Sequence, residues 1–237
     1  FLDAQLRQEL GSSAWWETLA ARLGDIEALL GEPSDEGLGA ALDAFWSSWS
    51  ELASAPEDRA LRATVRESGR GLASRLQRLD QSLETALTGL DDEITAAVPE
   101  INRRLALVAD LNGRILAAEQ GGGQANDLRD QRDLLVDELG QWASFRFGER
   151  EDGTLFVRLD GATLVDRNEA RLLTAGKQAL ADGTLAATIL VDGKALGVTG
   201  GRLGSLLELR EETVPSLRQG LDTLAGELAA QVNTLHR

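Results

Sequence analysis

From Leu72 to Ile115 apolar side chains recur mostly in alternating three- and four-residue steps: Leu72, Leu76, Leu79, Leu83, Ala86, Leu90, Ile94, Ala97, Ile101, Leu105, Val108, Leu111 and Ile115. Such steps keep every one of these side chains on one stripe of an α-helix. A stripe this long is not left in water, so a partner helix must cover it. From Glu57 to about Gln120 a continuous helix would span roughly 95 Å at ~1.5 Å per residue. Pro99 lies inside the run. It has no amide hydrogen and its ring crowds the carbonyl four residues back, so it is expected to kink the helix or divide it in two. Ser54-Ala-Pro-Glu57 reads as the start of the long helix, with a hydroxyl to cap it and proline in the first turn. Gly121-Gly-Gly123 reads as its end.

Other segments supply candidate partners. Leu2, Leu6 and Leu10, then Leu19, Leu23, Ile26 and Leu30, form one amphipathic stripe before the loop Gly31–Gly37. Leu38, Leu42, Phe45, Trp46, Trp49 and Leu52 form a second, rich in aromatics. Asn126 is placed to cap a helix bearing Leu128, Leu135, Leu139 and Trp142. After Gly200-Gly201 the seam spacing returns in Leu203, Leu207, Arg210, Val214, Leu217, Leu221, Leu224, Leu228, Gln231 and Leu235, with Pro215 predicting a break near Thr213. Burial of this seam against the central helix predicts a cost of about 3 kcal/mol or more for Leu221→Asp or Leu228→Asp.

Between the helices the period changes from helical to alternating. Phe145, Phe147, Leu155, Val157 and Leu159 alternate with polar residues around Asp152-Gly153, a hairpin signal. Asp160-Gly161 and Asp192-Gly193 punctuate further strands, among them Ala187–Val191 and Lys194–Val198. The pattern predicts a mainly α fold with a small β lobe: a long antiparallel helical bundle, coiled-coil-like, plus a short antiparallel β region. It divides the chain into a helical rod, first part, over residues 1–142, a β lobe over 143–200 and a closing helix over 201–237.

Composition narrows the function. With 39 acidic and 24 basic side chains the formal charge is −15, which repels phosphate backbones and anionic lipid and argues against nucleic acid or membrane as partners. Cysteine is absent and His236 is the single histidine, so thiol nucleophiles, His-dependent triads and multi-His zinc sites are excluded. No apolar run reaches membrane-spanning length and no secretory leader opens the chain, which predicts a soluble protein. With no methionine and Phe1 at its start, the sequence reads as an excerpt cut from something longer.

Four candidate sites have stronger structural readings. Asp127, Asp130 and Asp133 drift around their helix by about 60° per step. They lack convergent metal ligands, suit a helix N-terminus, and leave Arg129–Asp133 as an ion pair at i,i+4. Gly200-Gly-Arg-Leu-Gly204 opens a helix as phosphate loops do, but without the lysine and hydroxyl such loops need. Asp152, Asp160, Asp166 and Glu169 sit in turn chemistry rather than as a glycosidase pair. Trp15, Trp16, Trp46 and Trp49 read as core or subunit contacts rather than a platform for sugar or peptide. The expectation is no enzyme, with no catalytic, cofactor-binding or metal site and no cofactor.

Several strings are more specific. Phe45-Trp-Ser-Ser-Trp-Ser-Glu-Leu-Ala-Ser-Ala-Pro-Glu-Asp-Arg-Ala60, Leu79-Asp80, Val98-Pro-Glu-Ile-Asn102, Val108-Ala-Asp-Leu-Asn-Gly-Arg-Ile115, Ala125-Asn-Asp-Leu-Arg-Asp-Gln-Arg-Asp-Leu-Leu135 and Gly200-Gly-Arg-Leu-Gly-Ser-Leu-Leu-Glu-Leu-Arg210 occur in order, with Leu224-Ala225, Val232-Asn233 and His236 closing the series. Together they resemble the rod domain of the hook-associated protein 1 family of the bacterial flagellar hook–filament junction. Two positions depart from the family pattern. Ala55 stands where a capping Asn is frequent, which hands the cap to Ser54, and Pro99 enters a stretch usually free of proline. The resemblance implies an axial structural protein of the extracellular flagellum, secreted unfolded by type III export for flagellum assembly and motility. Its implied partners are hook protein, hook-associated protein 3, copies of itself in the junction ring, and an export chaperone acting through a terminus outside this sequence. Other axial proteins (hook-associated protein 3 or flagellin) and a cytosolic coiled-coil adaptor are the alternatives; a hydrolase would need an acidic cleft that the sequence does not signal.

Overall fold

A computed structural model of the chain describes residues 2–31, 34–35, 37–120, 123–180 and 183–235. Among the described residues six α-helices and seven strands follow one another: α1 Leu2–Leu30, α2 Leu38–Ser54, α3 Arg59–Glu119, α4 Asn126–Trp142, β1 Arg146–Glu149, β2 Leu155–Leu159, β3 Ala162–Asp166, β4 Glu169–Ala170, β5 Thr174–Ala179, β6 Leu185–Val191, β7 Lys194–Ala195, α5 Gly201–Glu208 and α6 Val214–Leu235. The fold is mainly α with a small antiparallel β region, as the periodicities predict. Its contacts divide it into two compact units, Phe1–Ala21 with Gly89–Glu211, and Arg22–Thr88 with Glu212–Arg237. Both are discontinuous, because α1 and α3 contribute to each.

The first unit carries the seven strands of the described residues. They make two antiparallel sheets, ordered β1-β2-β3-β4 and β5-β6-β7. The turns are made by the predicted Asp-Gly pairs: Asp160 and Gly161 have φ of 46° and 77°, Asp192 and Gly193 have 48° and 76°. Two successive left-handed residues twist the chain in the sense a two-residue hairpin requires. The last strand stops at Ala195 instead of reaching Val198. The sheets and α4 cover the second half of the α3 seam, where Ile94, Ile101, Leu105, Val108 and Ile115 are fully buried with Val136, Leu139, Val157, Leu164 and Ile189.

Pro99 does not divide α3, which runs through it for 61 residues. The proline faces solvent while Ala97, Val98 and Ile101 on either side are buried. Packing of the inner face therefore holds the helix, and the hydrogen bond lost to proline falls on the wet side.

Two helix starts also differ from expectation. Ser54 ends α2, donating its hydroxyl to the Glu51 carbonyl at 2.7 Å. The cap of α3 is Asp58, whose Oδ1 accepts from the amides of Ala60 (2.7 Å) and Leu61 (3.3 Å). A carboxylate reaching two of the four orphan amides is the stronger cap. Asn126 is the first residue within α4, and Ala125 before it contributes no side-chain cap. The Gly121-Gly122 stop lies outside the described residues; α3 itself ends at Glu119.

Among the described residues of the second unit the regular structure is all helix. Phe45 of α2 packs edge-on against Trp49, centroids 6.3 Å apart, and its ring lies against Gly69 of α3. Arg218 of α6 bonds Asp80 at 2.6 Å and Glu84 on α3. Farther along α6, Leu228 and Val232 lie near Leu72 and Gly69, so α6 runs antiparallel to α3. Where a break was expected near Thr213, a five-residue π turn, Leu209–Thr213, joins α5 to α6 without interruption. A π turn shifts the hydrogen-bond register by one residue, next to a proline that has no amide to give.

The closing seam is buried only in part. Leu203, Leu209 and Val214 are fully buried, whereas Leu217 is 40% exposed and Leu221, Leu224 and Leu228 are half-buried. Leu228 opens onto a groove, and the large penalty expected for Leu228→Asp does not follow.

Candidate functional site

Along α3, three polar residues fall one position after a seam residue: Asp91 after Leu90, Asn102 after Ile101, Asn112 after Leu111. Their separations of 11 and 10 residues are close to three helical turns, so they share a face. That face meets the strands. Each side chain binds backbone of the β region, and the two asparagines both donate to and accept from it. Asn112 is fully buried. Its Nδ2 donates to the carbonyls of Leu155 and Arg167, both at 2.7 Å, and its Oδ1 accepts from the Leu155 amide at 3.0 Å. Asn102 does the same at Leu173, donating to its carbonyl and accepting from its amide at 2.8 Å each. Asp91 accepts from the Ala187 amide at 2.9 Å and from the Arg210 guanidinium at 2.7 Å, and Arg210 donates onward to the Leu185 carbonyl.

Buried arginine completes the set. Arg132 of α4, 2% exposed, donates to Asn112 Oδ1 at 3.0 Å and to the Gly153 carbonyl at 2.9 Å; burial lowers its pKa. Arg129 holds Glu119 in a two-pronged pair (2.8 and 2.9 Å) and reaches Glu149 at 2.5 Å. The expected Arg129–Asp133 pair is thus replaced by longer-range partners, since a carboxylate at the end of α3 gives Arg129 a bidentate fit that a helical neighbour does not. The Arg129 hydrogen bonds and the Ala125 amide lower the Glu119 carboxyl from 4.5 to about 2. Asp152 is likewise lowered, first by the Thr154 hydroxyl and then by the Thr154 amide.

The sequence-predicted sites resolve into structure. Asp127 occupies the first turn of α4, and Asp133 lies 3.9 Å from the Arg7 guanidinium. Among the described residues no group of three or more His, Asp or Glu side chains is placed to hold a metal. Gly200 and Gly201 have φ of 65° and 57°; a Cβ on Gly201 would lie 2.4 Å from the Trp142 carbonyl carbon, and one on Gly204 2.7 Å from the Thr199 backbone. These glycines let α5 start directly against the end of α4. Asp160 accepts from the Gly197 amide, Asp166 pairs with Arg150 at 2.8 Å, and Glu169 pairs in the β3–β4 register. The candidate tryptophans fall in two pairs, one in each unit. Trp15 and Trp16 touch edge-to-face on α1, with Trp16 61% exposed, while Trp46 and Trp49 flank Phe45. His236 lies outside the described residues.

One further feature is not filled by the protein. In the second unit, α2, the first turns of α3 and the end of α6 surround an open groove of about 1230 Å³. Phe45, Trp49, Leu72, Leu76, Leu228 and Val232 line it with Arg59, Arg62 and Arg66.

All but Asp91 of the polar residues that tie the β region to the helices fall in the sequence strings quoted above: Asn102, Asn112, Arg129, Arg132 and Arg210. The strings themselves match a known family. Residues 23–237 match the flagellar hook-associated protein FlgK helical domain. The chain belongs to this family. It is similar over its whole length to flagellar hook-associated protein 1 of Bacillus subtilis (29% identity, 52% of that protein) and of Salmonella typhimurium (30%, 44% of that protein). The flagellar hook junction protein FlgK from Burkholderia pseudomallei shares the fold, with a TM-score of 0.75 and 25% identity over 87% of this chain and 39% of that one. The chain thus spans about half the length of the curated relatives it matches. In this FlgK helical-domain chain the polar residues beside the α3 seam tie backbone of the β region to the long helix. Among the described residues no helix is long and apolar enough to cross a membrane.

Proposed function

We propose that this chain is part of a structural subunit of the bacterial flagellum that joins hook to filament at the extracellular hook–filament junction. The family match over residues 23–237 carries the reading. The geometry supports it: the long helix supplies stiffness, and buried polar pins, rather than a reactive cleft, tie the strands to it. Its partners are hook protein on one side, hook-associated protein 3 on the other, and copies of itself around the ring, with an export chaperone before assembly. On this reading it acts by packing and catalyses no reaction. On this reading the chain is organised as a first part of the helical rod (1–142), a small β lobe (143–200) and the closing helix of the rod (201–237).

Immunogold electron microscopy on the flagella of cells that make this protein tests the proposal. Label confined to the end of the hook is the expected result. Label along the filament would assign the chain to another axial protein, and label restricted to the cell interior would make it an adaptor.

A further inference from the structure

Asparagine followed by glycine is a chemically fragile pair in an unfolded chain. The backbone nitrogen of the glycine attacks the asparagine Cγ, the Cγ–Nδ2 bond breaks, ammonia leaves, and a five-membered cyclic imide remains. Water then opens the imide at either carbonyl. One opening gives aspartate; the other gives isoaspartate, in which the main chain runs through the former side chain. Glycine speeds the attack because no Cβ obstructs its nitrogen and its backbone reaches the required conformations freely. Of the five asparagines, at 102, 112, 126, 168 and 233, only Asn112 precedes glycine. The Asp-Gly pairs at 152, 160, 182 and 192 must expel water from a carboxyl group instead of ammonia from an amide, which is the slower step.

The fold removes what this reaction needs. Asn112 is fully buried, so the water that opens the imide is kept away. Its Nδ2 donates to the Leu155 and Arg167 carbonyls at 2.7 Å, and its Oδ1 accepts from the Leu155 amide and Arg132 at 3.0 Å. Four bonds hold Cγ in place. Gly113 lies inside α3, where its amide belongs to the helical ladder and its nitrogen is not free to turn on Cγ.

Neither product restores these contacts. In aspartate an oxygen replaces Nδ2 and faces two carbonyl oxygens, although Arg132 and the Leu155 amide still suit the other oxygen. Isoaspartate adds a methylene to the main chain within a 61-residue helix and throws the following turns out of register.

We propose that Asn112-Gly113 is a spontaneous modification site of the unfolded chain that folding closes, so that time spent unfolded is written irreversibly at Asn112. The inference rests on the Asn112 geometry and is independent of the flagellar role.

The test holds the whole chain at mildly alkaline pH, one sample in guanidinium chloride and one in native buffer. Mass spectrometry follows the tryptic peptide Leu105–Arg114, in which Asn112 is the single asparagine. In denaturant this peptide is expected to gain about one mass unit and split into two chromatographic products, isoaspartate in excess, before any other asparagine peptide changes. In native buffer the gain is expected to be at least tenfold slower, since reaction there waits on local opening. Gly113→Ala places a Cβ at an ordinary 3.4 Å from Asn168 Cβ; it is expected to fold with an undiminished melt and to slow conversion in denaturant at least tenfold. After dilution from denaturant, protease treatment is expected to remove isoaspartate-bearing chains and spare those that keep the amide. Equal rates in the two buffers, no mass gain in denaturant, an unchanged rate in Gly113→Ala, or isoaspartate chains as protease-resistant as the parent overturns the proposal.

Discussion

Replacing Asn112 by leucine removes four hydrogen bonds while nearly preserving side-chain volume. The Leu155 amide, the Leu155 carbonyl and the Arg167 carbonyl each lose their Asn112 partner. Arg132 loses one acceptor and keeps the Gly153 carbonyl. Asn112 is fully buried, so water does not readily take its place. A buried polar group left unpaired costs about 1–3 kcal/mol, and a bond to a charged donor about 1.5–3. Four such losses, discounted for relaxation and for the apolar gain of leucine, come to about 4–6 kcal/mol. Whole-domain stability is about 5–15 kcal/mol, so the first unit is expected to unfold at much lower denaturant. Urea unfolding followed by far-ultraviolet circular dichroism reads this directly, and Asn102→Leu, which removes two bonds, should fall about halfway. A loss below about 1 kcal/mol for Asn112→Leu would refute the idea that side-chain pins hold the strands to α3.

Three other outcomes are expected. Glu119 has its carboxyl lowered from 4.5 to about 2, so its stabilisation is fully present above the ordinary value and is lost as pH falls toward the folded one. Across that window the urea midpoint of Glu119→Gln should fall less steeply with acid than that of the parent. Gly201→Ala, with φ +57° and backbone 2.4 Å from the new Cβ, should cost about 2–3 kcal/mol or more by thermal melting. Gly71→Ala, in open space on α3, should instead stabilise by about 0.5–1 kcal/mol. Leu203→Asp, at a fully buried position, should cost more than about 3 kcal/mol, whereas Leu228→Asp, on the groove, should cost about 1 kcal/mol or less in a denaturant titration.

The sequence revealed its elements better than its joints. Heptad steps from Leu72 to Ile115 and the Asp-Gly turns depend on short-range physics, so α3 and the hairpins were legible from their own residues. The pins were not. Asn102 and Asn112 look like ordinary polar residues on a helix flank, and what makes them structural is backbone of the β region 71 or 43 residues away. Their one local sign is that each follows a buried seam residue, on the edge of the apolar stripe. Arg129 shows the same limit: a local ion pair with Asp133 was the obvious inference, but Glu119 and Glu149 offered better geometry. The Pro99 expectation failed because sequence shows the missing amide and not the burial of Ala97, Val98 and Ile101 around it. The bare stretch of the closing seam was invisible for a similar reason, since heptad spacing states that a stripe exists and not that anything covers it.

The order of the pins along the chain has a kinetic consequence. Asn112 reaches Leu155 across 43 residues, Asn102 reaches Leu173 across 71, Asp91 reaches Ala187 across 96, and Arg210 returns to Asp91 across 119. The loops are nested, each enclosing the one before. Once the innermost contact forms, the second no longer closes a free 71-residue loop; it closes 10 residues of helix against the 18 from Leu155 to Leu173, which include β2, β3 and β4. Because closure entropy grows with the length of the free loop, each contact makes the next cheaper, and long-range topology is built by short successive steps. A chain emerging end-first from a narrow passage could close them in sequence, zipping from the inside outward, with Arg210 as the last tooth.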